Sequence, residues 1–338
     1  MLTDSSINRI ADKTLPSGSQ YTIDDYRVFL IIEEKNRILV EGSSDKQVFD
    51  LLLDEISEKF NKSVNNIIIE TSDLIENKSL QVEPSSHLGC REKIEIICEI
   101  LKDDINHHKI FGFVDREFRG FDFSRSCVDK IKAHKVVDRV IWTRGHSIEN
   151  YFFDQKILRN TLKIKLTENW FKEALQLFER YFESVIHIAC CVSIIAKKTK
   201  KLQKVENSID RILIINKNNI DLDYTQLKTK LIQAHKVSDF EADFFIEELK
   251  VLIQESGFID FEVGRWLCHG HIGFKFILAL FYLVISEIRP RESPQKYLGH
   301  CKEKEFLNIC SSFWIQSILE RNCEHPLDDL KKLGIDLI

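Results

Sequence analysis

The sequence predicts a parallel α/β sheet over residues 1–154 followed by an all-helical domain over 155–338. Three observations carry that expectation. Short apolar runs rich in β-branched residues alternate with amphipathic segments through the first half, which is the order strand, helix, strand, helix, strand of a right-handed parallel sheet. From about Asp154 the apolar spacing becomes helical and stays so. The chain of 338 residues also exceeds the size at which one core usually stops growing.

Residues 1–20 are polar with a Pro-Ser-Gly-Ser turn, and Thr22-Ile23-Asp24-Asp25 is a helix cap leading to the first strand. That strand, Ile38-Leu39-Val40, runs through Glu41 and Gly42, and Ser43 or Ser44 is expected to cap the next helix. Val48, Phe49, Leu51, Leu52, Leu53 and Ile56 give this helix its buried face. A second strand over 66–70 follows, continuous and apolar as a buried parallel strand should be, then a polar loop over 77–87. Gly89 opens a helix with Ile94, Ile97, Ile100 and Leu101 inside, and a third strand over 109–114 ends at Asp115. A fourth strand is expected over 136–142. Beyond it, helices are expected over 170–182, 185–201, 240–253 and 274–288.

The formal charge of −5 argues against a surface coated in non-specific nucleic-acid contacts, while leaving room for a local basic groove. Nine scattered cysteines without a Cys-x-x-Cys pair fit a reducing compartment and no disulfides. The longest apolar stretch, 274–285, includes Lys275 and is too short to span a bilayer, so a soluble cytoplasmic protein is expected.

Acids stand at three predicted strand ends: Glu41 with Asp45, Asp115 with Glu117, and Glu149. In a parallel sheet these ends share one edge, where ligands of open α/β sheets bind. Asp115 and Glu117, two apart in an extended segment, would point to one side and meet one hard cation. Glu41 and Asp45 lie one helical turn apart. Carboxylates gathered in this way repel unless a divalent metal neutralises them. The competing reading is plainer: Glu-Gly-Ser-Ser-Asp as a capped helix start, and Asp115-Arg116-Glu117 as a solvated turn whose arginine pairs with its neighbours.

Leu39-Val40-Glu41-Gly42-Ser43-Ser44-Asp45, Phe113-Val114-Asp115-Arg116-Glu117 and His146-Ser147-Ile148-Glu149-Asn150-Tyr151 together resemble a TOPRIM-like family. It is the OLD-nuclease-related effector family encoded beside ABC-type ATPases in bacterial anti-phage operons of the PARIS kind. The resemblance covers roughly residues 30–155. It implies that Glu41 is the acid of the first motif, that Asp45 is a further metal-site acid, and that Asp115 and Glu117 are the pair that usually reads Asp-x-Asp. Glu117 departs from that pattern, setting its carboxylate about one methylene further out. Glu149 would complete the set, and His146 would either touch the substrate or cap its helix. The implied cofactor is Mg²⁺ or Mn²⁺, and the implied activity is toxic nucleolysis in phage defence with tRNA as substrate.

Carboxylate-held metals suit phosphoryl transfer, and no tyrosine is clearly placed as a topoisomerase nucleophile, so hydrolysis of a phosphodiester is the expected reaction. The residues themselves leave RNA and DNA open, and leave a non-catalytic adaptor as the rival from another class. Lys197, Lys198, Lys200 and Lys201 form the one dense basic run, read either as a phosphate-backbone contact or as a solvated helix end. Cys268-His269-Gly270-His271 is read as a zinc half-site with His300-Cys301 or Cys323 and His325, or, within the longer stretch Gly264 to His271, as a loop leading into a helix and facing the acidic edge. Cys190-Cys191 reads as core packing. No Gly-x-x-x-x-Gly-Lys-Ser/Thr loop occurs, so an ATP-driven switch is expected on a separate ABC-type ATPase. The helical half is the expected docking surface, with possible homodimer contacts, or simply a cover for the sheet.

Overall fold

The computed structural model describes residues 20–335 apart from 62, 81–87, 125, 133, 166–169, 217, 256–258, 295–296, 298–302, 322–325 and 333. The Pro-Ser-Gly-Ser turn, the end of the 77–87 loop and His300, Cys301, Cys323 and His325 therefore lie outside the described residues. The protein is a mixed α/β protein, with a mostly parallel five-stranded sheet in its first half and a largely helical second half. Its chain forms two compact units, one of residues 1–115, 134–143 and 315–338 and one of residues 116–133 and 144–314.

In the first unit, α1 (Ile23–Ile32) starts at Thr22, whose hydroxyl accepts from the Asp25 N–H while the Asp25 carboxylate accepts from the Thr22 N–H. This is the reciprocal capping box that Thr-x-x-Asp spacing allows. Strand β1 (Asn36–Val40) is buried from Arg37 onward and runs between β2 (Ile67–Thr71) and β3 (Ile110–Val114), parallel to both. Helix α2 (Ser43–Phe60) packs Val48, Phe49, Leu52, Leu53 and Ile56 inward, with Phe49 edge-on to Phe113 at 4.7 Å. Helix α3 (Cys90–Ile100) covers β3, and Gly112 lets it come close, because a Cβ there would meet the Ile94 side chain at 2.6 Å. Ile94, Ile97, Leu101, Leu39, Val114 and Val140 share this core.

In the second unit, β4 (Phe121–Asp122) and β5 (Val128–Asp129) pair antiparallel. The fourth predicted strand proves to be a hairpin, with β6 (Lys135–Val137) running antiparallel to β7 (Val140–Trp142) in the first unit's sheet. Asp138 takes φ of +51°, and the charged Asp138-Arg139 pair is the turn that interrupts the apolar run. The sheet order is β2-β1-β3-β7-β6, so the carboxyl ends of β2, β1, β3 and β7 share one edge and β6 runs the other way.

The helices of the second unit are α4 (Gln155–Lys165), α5 (Phe171–Lys198), α6 (Leu202–Glu206), α7 (Tyr224–His235), α8 (Asp239–Gln254), α9 (Phe261–Leu267) and α10 (Gly270–Ile288). Helices α11 (Glu303–Arg321) and α12 (Leu327–Lys332) complete the chain. Two corrections concern this half. The segments expected over 170–182 and 185–201 are one helix of 28 residues, because Glu183 and Ser184 face outward without breaking the spacing of Phe178, Phe182, Val185 and Ile186. The half is not all helical either: β8 (Leu213–Asn216) and β9 (Asn219–Leu222) form a hairpin about an asparagine-rich turn in which Asn218 has φ of +66°. Helix α10 exceeds the apolar stretch read from the sequence and is long and apolar enough to cross a membrane, but more than half of that window is buried, as in a core helix. It packs on α5, with Phe281 stacked on Phe178 at 4.8 Å.

Candidate functional site

The sheet register places the first acids. Val40 lies opposite Phe113 on one side and Thr71 on the other, so Glu41 and Ser72 leave the sheet level with Val114, the last residue of β3, and Asp115 follows one residue further. Glu41 Oε1 accepts a hydrogen bond from the Asp115 N–H at 2.7 Å, which joins the ends of β1 and β3. Helix α2 is not capped by Ser43 or Ser44, which are its first two residues. Gly42 is the N-cap, and in place of a side-chain cap there the Asp45 carboxylate reaches back to the Gly42 N–H at 3.0 Å. The serines stand exposed because the helix starts one residue earlier than a serine cap requires.

The expectation that Asp115 and Glu117 share an extended segment is not met. Glu117 takes φ of +52° and donates its N–H to the His146 carbonyl at 2.7 Å, so the chain turns between the two acids. Arg116 drives that turn. It is fully buried, donates to the carbonyls of Arg119 and Arg144 at 2.7 and 2.9 Å, lies 3.9 Å from the Phe121 ring centre and pairs with Asp129 at 2.6 Å. Arg144 pairs with the other Asp129 oxygen. Burial works to raise the Asp129 pKa, but hydrogen bonds from Arg116, the Lys132 N–H and Arg144 outweigh it and hold the carboxyl well below the usual range. The turn is therefore not the solvated one of the plainer alternative, because Arg116 is buried and pairs with Asp129, 13 residues on. Asp129 itself carries no signal in the sequence, because a partner 13 residues away follows neither helical nor strand spacing.

The His146-Ser147-Ile148-Glu149-Asn150-Tyr151 stretch is buried throughout, and Ile148–Phe152 form a 3₁₀ turn. Asn150 holds it by accepting from the Ser147 N–H at 2.8 Å and donating to the carbonyls of Arg265 and Cys268 at 2.6 and 2.9 Å. The His146 ring packs against Phe118 and His269, each at 4.6 Å between ring centres, while the residue's backbone N–H donates to the Trp266 carbonyl. It therefore neither heads nor caps a helix: Ser147 precedes the turn. Glu149 lies at the start of α10, where its carboxylate is 3.9 Å from His271 Nδ1 and where a Cβ on Gly270 would collide with Ser147 Oγ and come within 2.5 Å of Glu149 Oε2. A helix amino terminus favours that negative charge.

The lysine run does not wrap a helix. Helix α5 ends at Lys198, Lys200 has φ of +55°, and Lys201 pairs with Glu241 at 2.6 Å. Lys198 and Lys200 are exposed. Lys197 places its ammonium 4.0 Å from the Phe118 ring centre; burial lowers its pKa, with Glu117 acting against the shift. The stretch from Gly264 to His271 is not one loop: Gly264 to Leu267 end α9, Gly270 and His271 begin α10, and only Cys268 and His269 lie between them. Cys268 is buried beside Ser193, and burial pushes its thiol up to about 12, which opposes metal-binding thiolate. His269 is lowered to about 4, first by burial and then by His271. Cys190 and Cys191 are packing residues with no exposure.

Mg²⁺ or Mn²⁺ would find the right donor chemistry in the carboxylates of Glu41, Asp45 and Asp115, since both are hard cations that take oxygen ligands. Among the described residues, however, no three His, Cys, Asp or Glu side chains are grouped as a metal site. Compared with known proteins, the chain matches no family model and no curated protein.

Proposed function

We propose that this protein is a metal-dependent TOPRIM-type nuclease, an effector that hydrolyses phosphodiesters, with tRNA as substrate. One observation supports it most: Glu41 and Asp115 meet at the carboxyl ends of neighbouring parallel strands. Glu41, Asp45 and Asp115 would hold the metal, which when bound polarises a phosphodiester and lowers the pKa of an attacking water. The chain's own part is to fix these acids. The strand register sets Glu41 against the Asp115 backbone, and the start of α2 sets Asp45. The resemblance named above further supports a role in phage defence and control by a separately encoded ABC-type ATPase.

A second reading has its own support. Asp45 caps a helix, Glu41 ties two strands, and no described group of three acids is assembled, which is what a non-catalytic adaptor of TOPRIM shape would show. The deciding experiment incubates the purified protein with labelled tRNA and duplex DNA, with and without Mg²⁺ or Mn²⁺, beside Glu41→Ala. Metal-dependent cleavage lost in a folded Glu41→Ala supports the nuclease. An unchanged biological effect in that variant supports the adaptor. Glu117→Gln and Glu149→Gln in the same assay report whether those acids take part.

A further inference from the structure

The first unit contains a second feature on the sheet edge that carries Glu41. A cleft of about 470 Å³ has Ser72, Asp73, Glu76, Lys78, Cys90 and Lys93 among its walls. The β1–β2 register pairs Val40 with Thr71, so Ser72 emerges beside Glu41, with neighbouring strands about 4.8 Å apart.

Two polar side chains in this cleft have no acceptor among the described residues, and for one of them, Ser72, the polar atom itself is buried. Lys93 is 6% exposed, and its ammonium makes no hydrogen bond or ion pair among the described residues. Burial lowers its pKa, with Asp73 and Cys90 acting weakly against the shift. Ser72 is fully buried, and its Oγ has no hydrogen-bond partner among the described residues. Both belong to the start of α3 and the end of β2. Helix α3 begins at Gly89 with no side-chain cap, and Glu92 in its first turn pairs with Arg91. A buried hydroxyl with no acceptor destabilises the fold unless a ligand supplies one, and the unpaired Lys93 ammonium in the same cleft offers an anion a charged donor. The facing carboxylates of Asp73 and Glu76 make the cleft mixed in charge, which suits a ligand with an anionic group and hydroxyl donors better than a bare polyanion.

We propose that this cleft binds a nucleotide unit, whose phosphate oxygens accept from Lys93 and Ser72 and whose sugar hydroxyls donate to Asp73 and Glu76. That the nucleotide belongs to a substrate strand rests on the nuclease reading; the binding itself does not. The test is calorimetric titration of the full chain with 5′-AMP, inorganic phosphate and adenosine, for wild type, Lys93→Met, Lys93→Arg and Ser72→Ala. Saturable binding of 5′-AMP is expected, with adenosine much weaker. Lys93→Met should weaken it roughly tenfold or more, Lys93→Arg should retain part of it, and Ser72→Ala should weaken it less than Lys93→Met. Lys93→Met should also melt no lower than wild type without ligand, since the substitution removes no ion pair or hydrogen bond among the described residues and keeps the apolar stem of a 6% exposed side chain. No saturable 5′-AMP binding, or equal binding by wild type and Lys93→Met, overturns the proposal. Cleavage of labelled tRNA in the same preparations keeps the readings apart: Lys93-dependent binding without any cleavage upholds the cleft while the nuclease reading fails, and cleavage with binding indifferent to Lys93 does the reverse.

Discussion

Glu41 in the first unit and Asp129 in the second are both carboxylates at strand ends, and they are held in opposite ways. Glu41 accepts from the Asp115 backbone N–H, a donor without net charge that ties two strand ends together. Asp129 is buried between the guanidiniums of Arg116 and Arg144, which cancel its charge. The first arrangement suits a group that meets a cation; the second suits a strut. The acid held between two guanidiniums is therefore the one read as structural, although the sequence motif singles out the other.

The contrast breaks most readily at Asp129. Asp129→Ala leaves Arg116 buried without its carboxylate and is expected to destabilise the protein by about 3–5 kcal/mol in urea unfolding. A loss below about 1 kcal/mol would mean that Arg116 and Arg144 are satisfied without it. Gly270→Ala comes next. The added methyl must push Ser147 and Glu149 aside at the start of α10, at a cost of about 2 kcal/mol by the same measurement. Asp45→Ala removes a helix-start contact and should cost about 1 kcal/mol, with little change in circular dichroism.

A different kind of test is pH dependence. His269 is held at about 4 by burial, below its ordinary 6.5. Between those values the unfolded chain takes up a proton that the folded one does not, so stability should fall as pH drops from about 6.5 towards 4 and be flat in this respect above 7. The depressed Asp129 carboxyl adds a separate loss only under more acidic conditions, as pH falls below the usual carboxylate range. Thermal melts across this range, repeated on His269→Gln, should show a shallower slope in the variant between 4 and 6.5. An identical slope would assign the effect to other groups.

Much of the sheet was legible because a buried parallel strand is a continuous apolar run that stops at a polar turn, as at Val40-Glu41 and Val114-Asp115. The helix starts at Thr22 and Gly89 were legible for similar local reasons. The turn at Asp138 was hidden inside what read as one strand, and the hairpin over 213–222 was absorbed into helical periodicity. At the candidate site, the meeting of Glu41 with Asp115 follows from strand register, which local pattern supplies. The left-handed Glu117 depends on Arg116 finding Asp129 and on the His146 carbonyl, contacts that no local pattern contains. Lys93 gave no sign either: on α3 it sits among charged neighbours, and only the tertiary fold buries it.

The central claim is that Glu41 serves a metal rather than only a fold. Its most direct test is Mn²⁺ titration of wild type and Glu41→Gln, read by the loss of the free-ion electron paramagnetic resonance signal, with urea unfolding of both. The account predicts Mn²⁺ uptake by wild type, weakened at least tenfold in Glu41→Gln, whose stability falls by no more than about 1–2 kcal/mol from the altered Asp115 hydrogen bond. Equal Mn²⁺ uptake by the two proteins, or none by wild type, would contradict it.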